Sequence, residues 1–382
     1  MKKTKKIAFI FALPIRTNAI LITMPFGLNV VTLLDRAGYE IDLYLSEYRS
    51  AAYEGLFSDR VHIHFLDHNY MWPKEGKWSY WFLTSYFRYL SIFRLRRKYS
   101  HIFASGMAGI TLGGILKQVN QKAKFIYMND EFPLQEVMNI WVKSEMKYAK
   151  KADLVSTPDE ARFPPLCKQI KGLERKAHFT LPNTPLMDEA IHIPDKDWHA
   201  HFGIPRDKKL FLMAGGLQGS ALIPELMSSV KNWPDNAVLI IKGKYEVKGF
   251  KESLEHLSIP RKIIWSAETF DPNTLHSLIR YCSASICLYD GINDNLAFVG
   301  KSSGKLMRSV WLGKPVIVSK QSSFQFVEDL GLGKMVDQPE EIAEAVSYIL
   351  ENETELQHNC VQHYPSISFE YYWTAFSKAV MD

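Results

Sequence analysis

Cysteine is scarce, with four in 382 residues (Cys167, Cys282, Cys287, Cys360). None form a Cys-x-x-Cys pair, and none stand at zinc-ligand spacing from a histidine. Neither a disulfide framework nor a zinc site is expected, and a reducing compartment, the cytoplasm, is the expected location. Long apolar runs are missing too. No segment reaches the ~18 uninterrupted apolar residues that a bilayer-crossing helix needs, so any membrane contact is expected to be peripheral. There is no short-period repeat. No nucleic-acid recognition motif accompanies the net charge of +5, so nucleic acid is not an expected partner. With 47% hydrophobic and 23% charged residues, the composition is that of a globular protein. Its length suits two domains of about 150–200 residues better than one core.

The opening, MKKTKKIAFIFALPIRTNAI, sets lysines before an apolar run, as a secretory leader does. The run Ile7–Leu13 is short for that purpose, and Pro14 and Arg16 follow at once, so a first β-strand is expected instead. Short β-branched or aromatic runs then alternate with helical periods, the pattern of parallel βαβ units. KIAFIF, YEIDLYL, VHIHFL, HIFASG, KFIYMND, DLVSTP and AHFTLPN are the expected strands of the first half. Helices are expected over 27–37, 78–97, 110–119 and 134–151. A proline-rich, charged stretch marks a boundary near 185–205. Beyond it KLFLMAGG, NAVLIIKGK, KIIWSAE, SASICLYD, PVIVSK and GKMVD restart the alternation. A polar break at ENETELQHN precedes a final aromatic helix, SISFEYYWTAFSKAVMD. The expected fold class is α/β, with two doubly wound, Rossmann-like domains facing across a cleft and ligands at the carboxyl ends of the strands.

Residues 300–319, GKSSGKLMRSVWLGKPVIVS, combine features that suit an anion. Ser302, Ser303 and Gly304 precede a helix expected from about Lys305 to Leu312, so free N–H groups and the positive end of the helix dipole converge there. Lys301 and Lys305 add charge, and Gly304 lets a phosphate approach the main chain. The competing reading is an ordinary serine-capped helix with solvated lysines.

The segment SSGKLMRSVWLGKPVIVS resembles the donor-binding region of GT-B glycosyltransferases, of the family 4-like (group 1) kind. WSAETFDPNTLHSLIRYCSASICLYD upstream and SSFQFVEDLGLGKMVDQPEEIAEAVSYIL downstream resemble the same family in order, so the likeness covers most of the second domain. It implies a first, acceptor-binding domain over 1–188, rejoined by a final helix 366–382, and a nucleotide-sugar domain over 189–365. Where many retaining members carry a Glu that grips the donor ribose, this chain has Arg308. A guanidinium only donates, and it suits phosphate instead. The form Ser302-Ser303-x-Lys305-Leu306 is similar to the xanthan-type inverting glucuronosyltransferase. By the same resemblance Gly215 and Gly216 in LMAGGLQGS, Lys242 in IIKGK, and Glu268 and Tyr289 beyond later strands are candidate nucleotide contacts. Each has a structural alternative, a tight turn or a packed side chain.

In the first domain KFIYMNDEFP ends a strand with Asp130 and Glu131. An inverting transfer needs one general base for the acceptor hydroxyl, and a carboxylate serves. Asp130 is the candidate, standing where the xanthan-type enzyme has its Asp. The alternative is a helix cap. Arg16, after the first strand, is a candidate near the leaving diphosphate or an acidic acceptor. Asp195-Lys196-Asp197 has the Asp-x-Asp form of the GT-A metal site but lies in the linker. No metal and no cofactor is expected, the donor being a UDP- or GDP-linked sugar. Residues 71–99 crowd aromatics ahead of Arg94, Arg96, Arg97 and Lys98, the make-up either of an interfacial helix on the inner face of a membrane or of a packed helix with a basic end. The expected activity is transfer of a hexosyl or glycuronosyl group to a glycan or lipid-linked saccharide in cell-surface polysaccharide assembly. The alternatives are epimerisation of the nucleotide sugar and a non-catalytic binding protein of the same fold.

Overall fold

The computed structural model describes residues 5–13, 17–18, 20–66, 98–133, 140–188, 193–217, 219–245 and 249–381. The chain divides into two compact units, Met1–Pro182 with Tyr372–Asp382, and Asn183–Tyr371. The sequence had placed these limits at 188 and 366. The second division falls inside one continuous helix, which a change in composition cannot mark.

The main sheet of unit 1 has seven parallel strands, β1 (Lys6–Phe11), β2 (Glu40–Leu45), β3 (Val61–Phe65), β4 (His101–Ser105), β5 (Lys124–Met128), β6 (Leu154–Thr157) and β7 (Ala177–Thr180), in the order β3-β2-β1-β4-β5-β6-β7, and Thr17–Asn18 pairs separately with Glu47–Tyr48. All seven expected runs are strands. β4 is buried along its whole length and β5 along all but its first residue, as parallel strands covered on both faces must be. Helices α1 (Pro25–Arg36), α2 (Met107–Val119) and α3 (Ile140–Ala149) connect them. Residues 134–139 of the expected third helix, and the expected basic aromatic helix over 78–97, lie outside the described residues. Gly106, between β4 and α2, has φ +74°, and a Cβ there would stand 2.5 Å from the Ala12 carbonyl oxygen. This β-to-α turn is therefore open only to glycine.

Unit 2 has six parallel strands, β8 (Lys209–Leu217), β9 (Ala237–Tyr245), β10 (Ile263–Ser266), β11 (Ala284–Cys287), β12 (Val316–Ser319) and β13 (Gly333–Val336), in the order β10-β9-β8-β11-β12-β13. The chain order reverses between β8 and β11, the switch point at which such sheets bind ligands. Alternation along β8 and β9 separates two cores. Phe211, Met213, Leu239 and Ile241 pack on one face, and Leu210, Leu212, Val238 and Ile240 pack with Trp198 on the other. The helices used below are α4 (Pro272–Tyr281), α5 (Gly304–Trp311), α6 (Glu341–Glu351), α7 (Glu353–Ile367) and α8 (Phe369–Met381).

The expected polar break at ENETELQHN is not a break. Only Asn352 separates α6 from α7. Leu356, Cys360 and Tyr364 recur every fourth residue and keep an inward stripe under an otherwise polar surface, which suffices for an amphipathic helix. Glu353 and Glu355 in its first turn favour the start.

Candidate active site

In unit 2 the site is built around the start of α5. Ser303 is the N-cap, in extended conformation (φ −69°, ψ 92°), and its Oγ accepts from the Leu306 N–H at 3.4 Å. Leu306, Met307 and Val310 face the sheet among Cys287, Val316 and Val318. At the other end Gly313, with φ +72°, donates to the Val310 carbonyl (2.9 Å) and Lys314 donates to the Ser309 carbonyl (2.9 Å). These paired bonds close the helix, and proline leads out into β12. Gly-Lys-Pro in the sequence is this C-terminal stop.

The first N–H groups of α5, those of Gly304 and Lys305, have no acceptor within the helix. Asn183 supports the preceding turn, its N–H donating to the Lys301 carbonyl (3.0 Å) and its Nδ2 to the Ser302 carbonyl (3.2 Å). Tyr289 follows β11. Its hydroxyl shares a hydrogen bond with Ser303 Oγ (2.8 Å), and its ring carries the Lys305 ammonium 4.5 Å from the centroid. Lys305 has no ion-pair partner among the described residues. Phe324 stacks on Tyr289, and burial pushes the phenol's pKa up. Exposed Gly215, near the end of β8 with φ +127°, lies beside the Lys305 stem, where a Cβ on it would stand 3.9 Å from Lys305 Cδ. Opposite it in β9, a Cβ on Gly243 would stand 1.9 Å from the Gly215 carbonyl oxygen. The loop ends therefore stay bare of side chains, leaving the main chain open to a ligand.

Ser302, Ser303, Gly304, Lys305, Tyr289, Gly215 and its exposed neighbour Gly216 thus share one region. The serine hydroxyls are committed locally, Ser302 Oγ donating to the Val299 carbonyl and Ser303 Oγ capping the helix. The groups presented to an anion are main-chain N–H groups and the Lys305 ammonium. Lys242 and Glu268 lie in another cluster. The Lys242 ammonium sits 4.7 Å above the Phe270 ring, with Lys196 5.4 Å from the same ring, and Glu268 Oε1 is 3.1 Å from His201 Nε2. The Arg308 charge acts on buried His276 of α4. Burial first, then Arg308, holds that imidazole down to about pKa 4. A cavity of about 480 Å³ opens at the carboxyl ends of β11, β12 and β13, lined by Tyr289, Asp290, Ser319, Gln321 and Asp337 among others. Its size is that of ordinary small-molecule pockets.

In unit 1, β5 ends at Met128, and Asn129–Glu131 form a turn. Asp130 is half-buried, with Ser105 Oγ donating to its Oδ1 at 3.4 Å, while Glu131 is exposed. Burial, with the Glu131 charge second, pushes the Asp130 carboxyl up to about 7. A carboxyl of that affinity is poised for proton transfer near neutrality. Arg162, 2% exposed, donates from Nη2 to the Asp130 carbonyl (2.9 Å) and stacks on Phe132. Sequence reasoning missed Arg162, Tyr127, Asn129 and Glu145. Glu145 had a legible signal: it occupies the apolar stripe Trp141, Val142, Tyr148, Ala149 of α3. Arg16 lies outside the described residues. Among the described residues no cluster of three or more His, Cys, Asp or Glu side chains is placed to hold a metal ion.

No protein-family model matches the chain, and no curated protein sequence matches it either. Solved structures do. HepE of Anabaena, in complex with UDP and glucose, is 13% identical, with a TM-score of 0.69 over 99% of both chains. Sucrose-phosphate synthase of Thermosynechococcus elongatus is also 13% identical, with a TM-score of 0.69 over 98% of both chains. WaaG, a glycosyltransferase involved in lipopolysaccharide biosynthesis, is 10% identical, with a TM-score of 0.64 over 98% of this chain and 99% of its own. At such identities the likeness is one of fold, and the fold of this chain, from one end to the other, is the GT-B glycosyltransferase fold.

Proposed function

We propose that the protein is a glycosyltransferase that moves a hexosyl or glycuronosyl group from a UDP- or GDP-linked sugar to a glycan or lipid-linked saccharide in cell-surface polysaccharide assembly. The observation that carries this reading is the start of α5, where unpaired helix N–H groups and the Lys305 ammonium stand beside the bare Gly215 main chain. Such a site favours the charge that grows on a departing diphosphate. The binding of UDP by HepE supports a uridine donor. Asp130 takes the acceptor hydroxyl's proton as that oxygen attacks the anomeric carbon, and the bond from that carbon to the diphosphate oxygen breaks. The proposal assigns no resident cofactor.

The test is calorimetric titration of UDP into the wild type and Lys305→Ala. The variant should bind about 1.5–3 kcal/mol more weakly, the worth of a hydrogen bond to a charged group. Equal affinities would remove Lys305 from the donor site. Release of free UDP from a UDP-sugar only when an acceptor glycan is added separates transfer from epimerisation and from simple binding.

A further inference from the structure

Behind Asp130 lies a chain of buried polar groups that the proposed reaction does not use. Asn129 Nδ2 spends both hydrogens, one on the Tyr127 hydroxyl oxygen (2.9 Å) and one on the Glu131 carbonyl (2.6 Å). The Tyr127 hydroxyl in turn donates to Glu145 Oε1 (2.8 Å). Arg162 anchors the Asp130 carbonyl from the other side, and the Asn129 N–H is held by Ser156 of β6 (2.9 Å). The Asp130 and Glu131 carbonyls therefore each end on a buried side-chain donor, which fixes the peptide plane that follows Asp130 and the one after it.

Keeping Glu145 at 3% exposure within an apolar helix stripe costs desolvation that a leucine would not. What the acid supplies in return is the acceptor at the far end of this chain. We propose that Glu145, acting through Tyr127 and Asn129, is a positioning residue that holds the turn from which Asp130 is presented. This rests on the reading of Asp130 as the base. Among the described residues, Asp130 is faced by Ser105 of β4, Tyr127 of β5, Glu131 on its own turn, Glu145 of α3 and Arg162, on which Asp159 also acts. One cation among four carboxyl groups favours proton retention, and burial pushes Glu145 itself up to about 8.

The experiment compares Tyr127→Phe, Glu145→Leu and Glu145→Gln with the wild type, first by carbon-13 NMR titration of the Asp130 carboxyl and then by steady-state transfer. Loosening the turn lets water reach Asp130, so its titration midpoint should fall by about one unit in Tyr127→Phe and Glu145→Leu. The transfer kcat should fall about tenfold with donor KM within twofold, as expected when a reacting group is misplaced without loss of binding. Glu145→Gln keeps a neutral acceptor for Tyr127 and should recover both quantities. Were Glu145→Leu to fail to fold, Tyr127→Phe, which removes one oxygen, decides alone. An unchanged midpoint in Tyr127→Phe overturns the proposal whether or not transfer is detected. Wild-type transfer by Asp130→Asn would instead refute the base assignment, and the midpoints would still decide the positioning role.

Discussion

At Asp130 the protein accepts a cost in stability that the proposed chemistry explains. In the unfolded chain its carboxyl ionises near the ordinary value of 3.8, whereas in the fold burial and Glu131 push it up to about 7. Between those pH values the folded state binds more protons than the unfolded one, so this group's contribution to stability falls as pH rises through the window. Asp130→Asn lacks the effect. By urea unfolding the variant should gain about 2 kcal/mol on the wild type between pH 4 and pH 8, a figure discounted for partial exposure. The same substitution should lower turnover by about 10² to 10⁴ with UDP affinity near normal. Glu131→Gln should be milder, since Glu131 is exposed and only its carbonyl is anchored. A Glu131→Gln variant that is dead beside an active Asp130→Asn would exchange the two roles.

Among the elements, α8 shows how packing recruits a segment whose sequence gives only an amphipathic outline. Phe376 is fully buried, tilted against Phe103 of β4 at 6.3 Å and edge-on to Phe179 of β7 at 5.9 Å. The last carbonyls of the helix receive donors from unit 1. Lys124 Nζ reaches Ala379 (2.7 Å), His101 Nε2 reaches Val380 (2.9 Å) and Lys5 Nζ reaches Met381 (2.7 Å). Cations at a helix C-terminus also complement its dipole. Phe376→Ala should destabilise unit 1 by about 3–5 kcal/mol, visible as a lower urea midpoint. A loss below about 1 kcal/mol would mean that α8 is held by its terminal bonds rather than by its core contact.

For the molecule as a whole, the net charge of +5 is uneven along the sequence. Arg94, Arg96, Arg97 and Lys98 follow a run of aromatics, and all but Lys98 lie outside the described residues. Among the described residues no helix is long and apolar enough to cross a membrane. If peripheral binding accompanies a lipid-linked acceptor, changing these four residues together to Gln should reduce co-sedimentation with anionic vesicles, each basic residue being worth about 1 kcal/mol at the surface. A wild type that ignores such vesicles at low salt removes the membrane from the proposal. The sequence by itself determined the thirteen strands of the two main sheets, because buried β-branched runs bounded by turns have few alternatives, and it determined the helix stop at Gly313-Lys314-Pro315. It also marked the start of α5, since Ser-x-x and glycine have local, short-range signatures. Only the tertiary structure decided that α7 runs through ENETELQHN, where a sparse inward stripe is enough once a core exists to receive it. Only it brought Lys305 over Tyr289 beside Gly215, and Glu145 behind Asp130, because these residues stand on separate elements and meet only where helix packs on sheet, which no local pattern encodes.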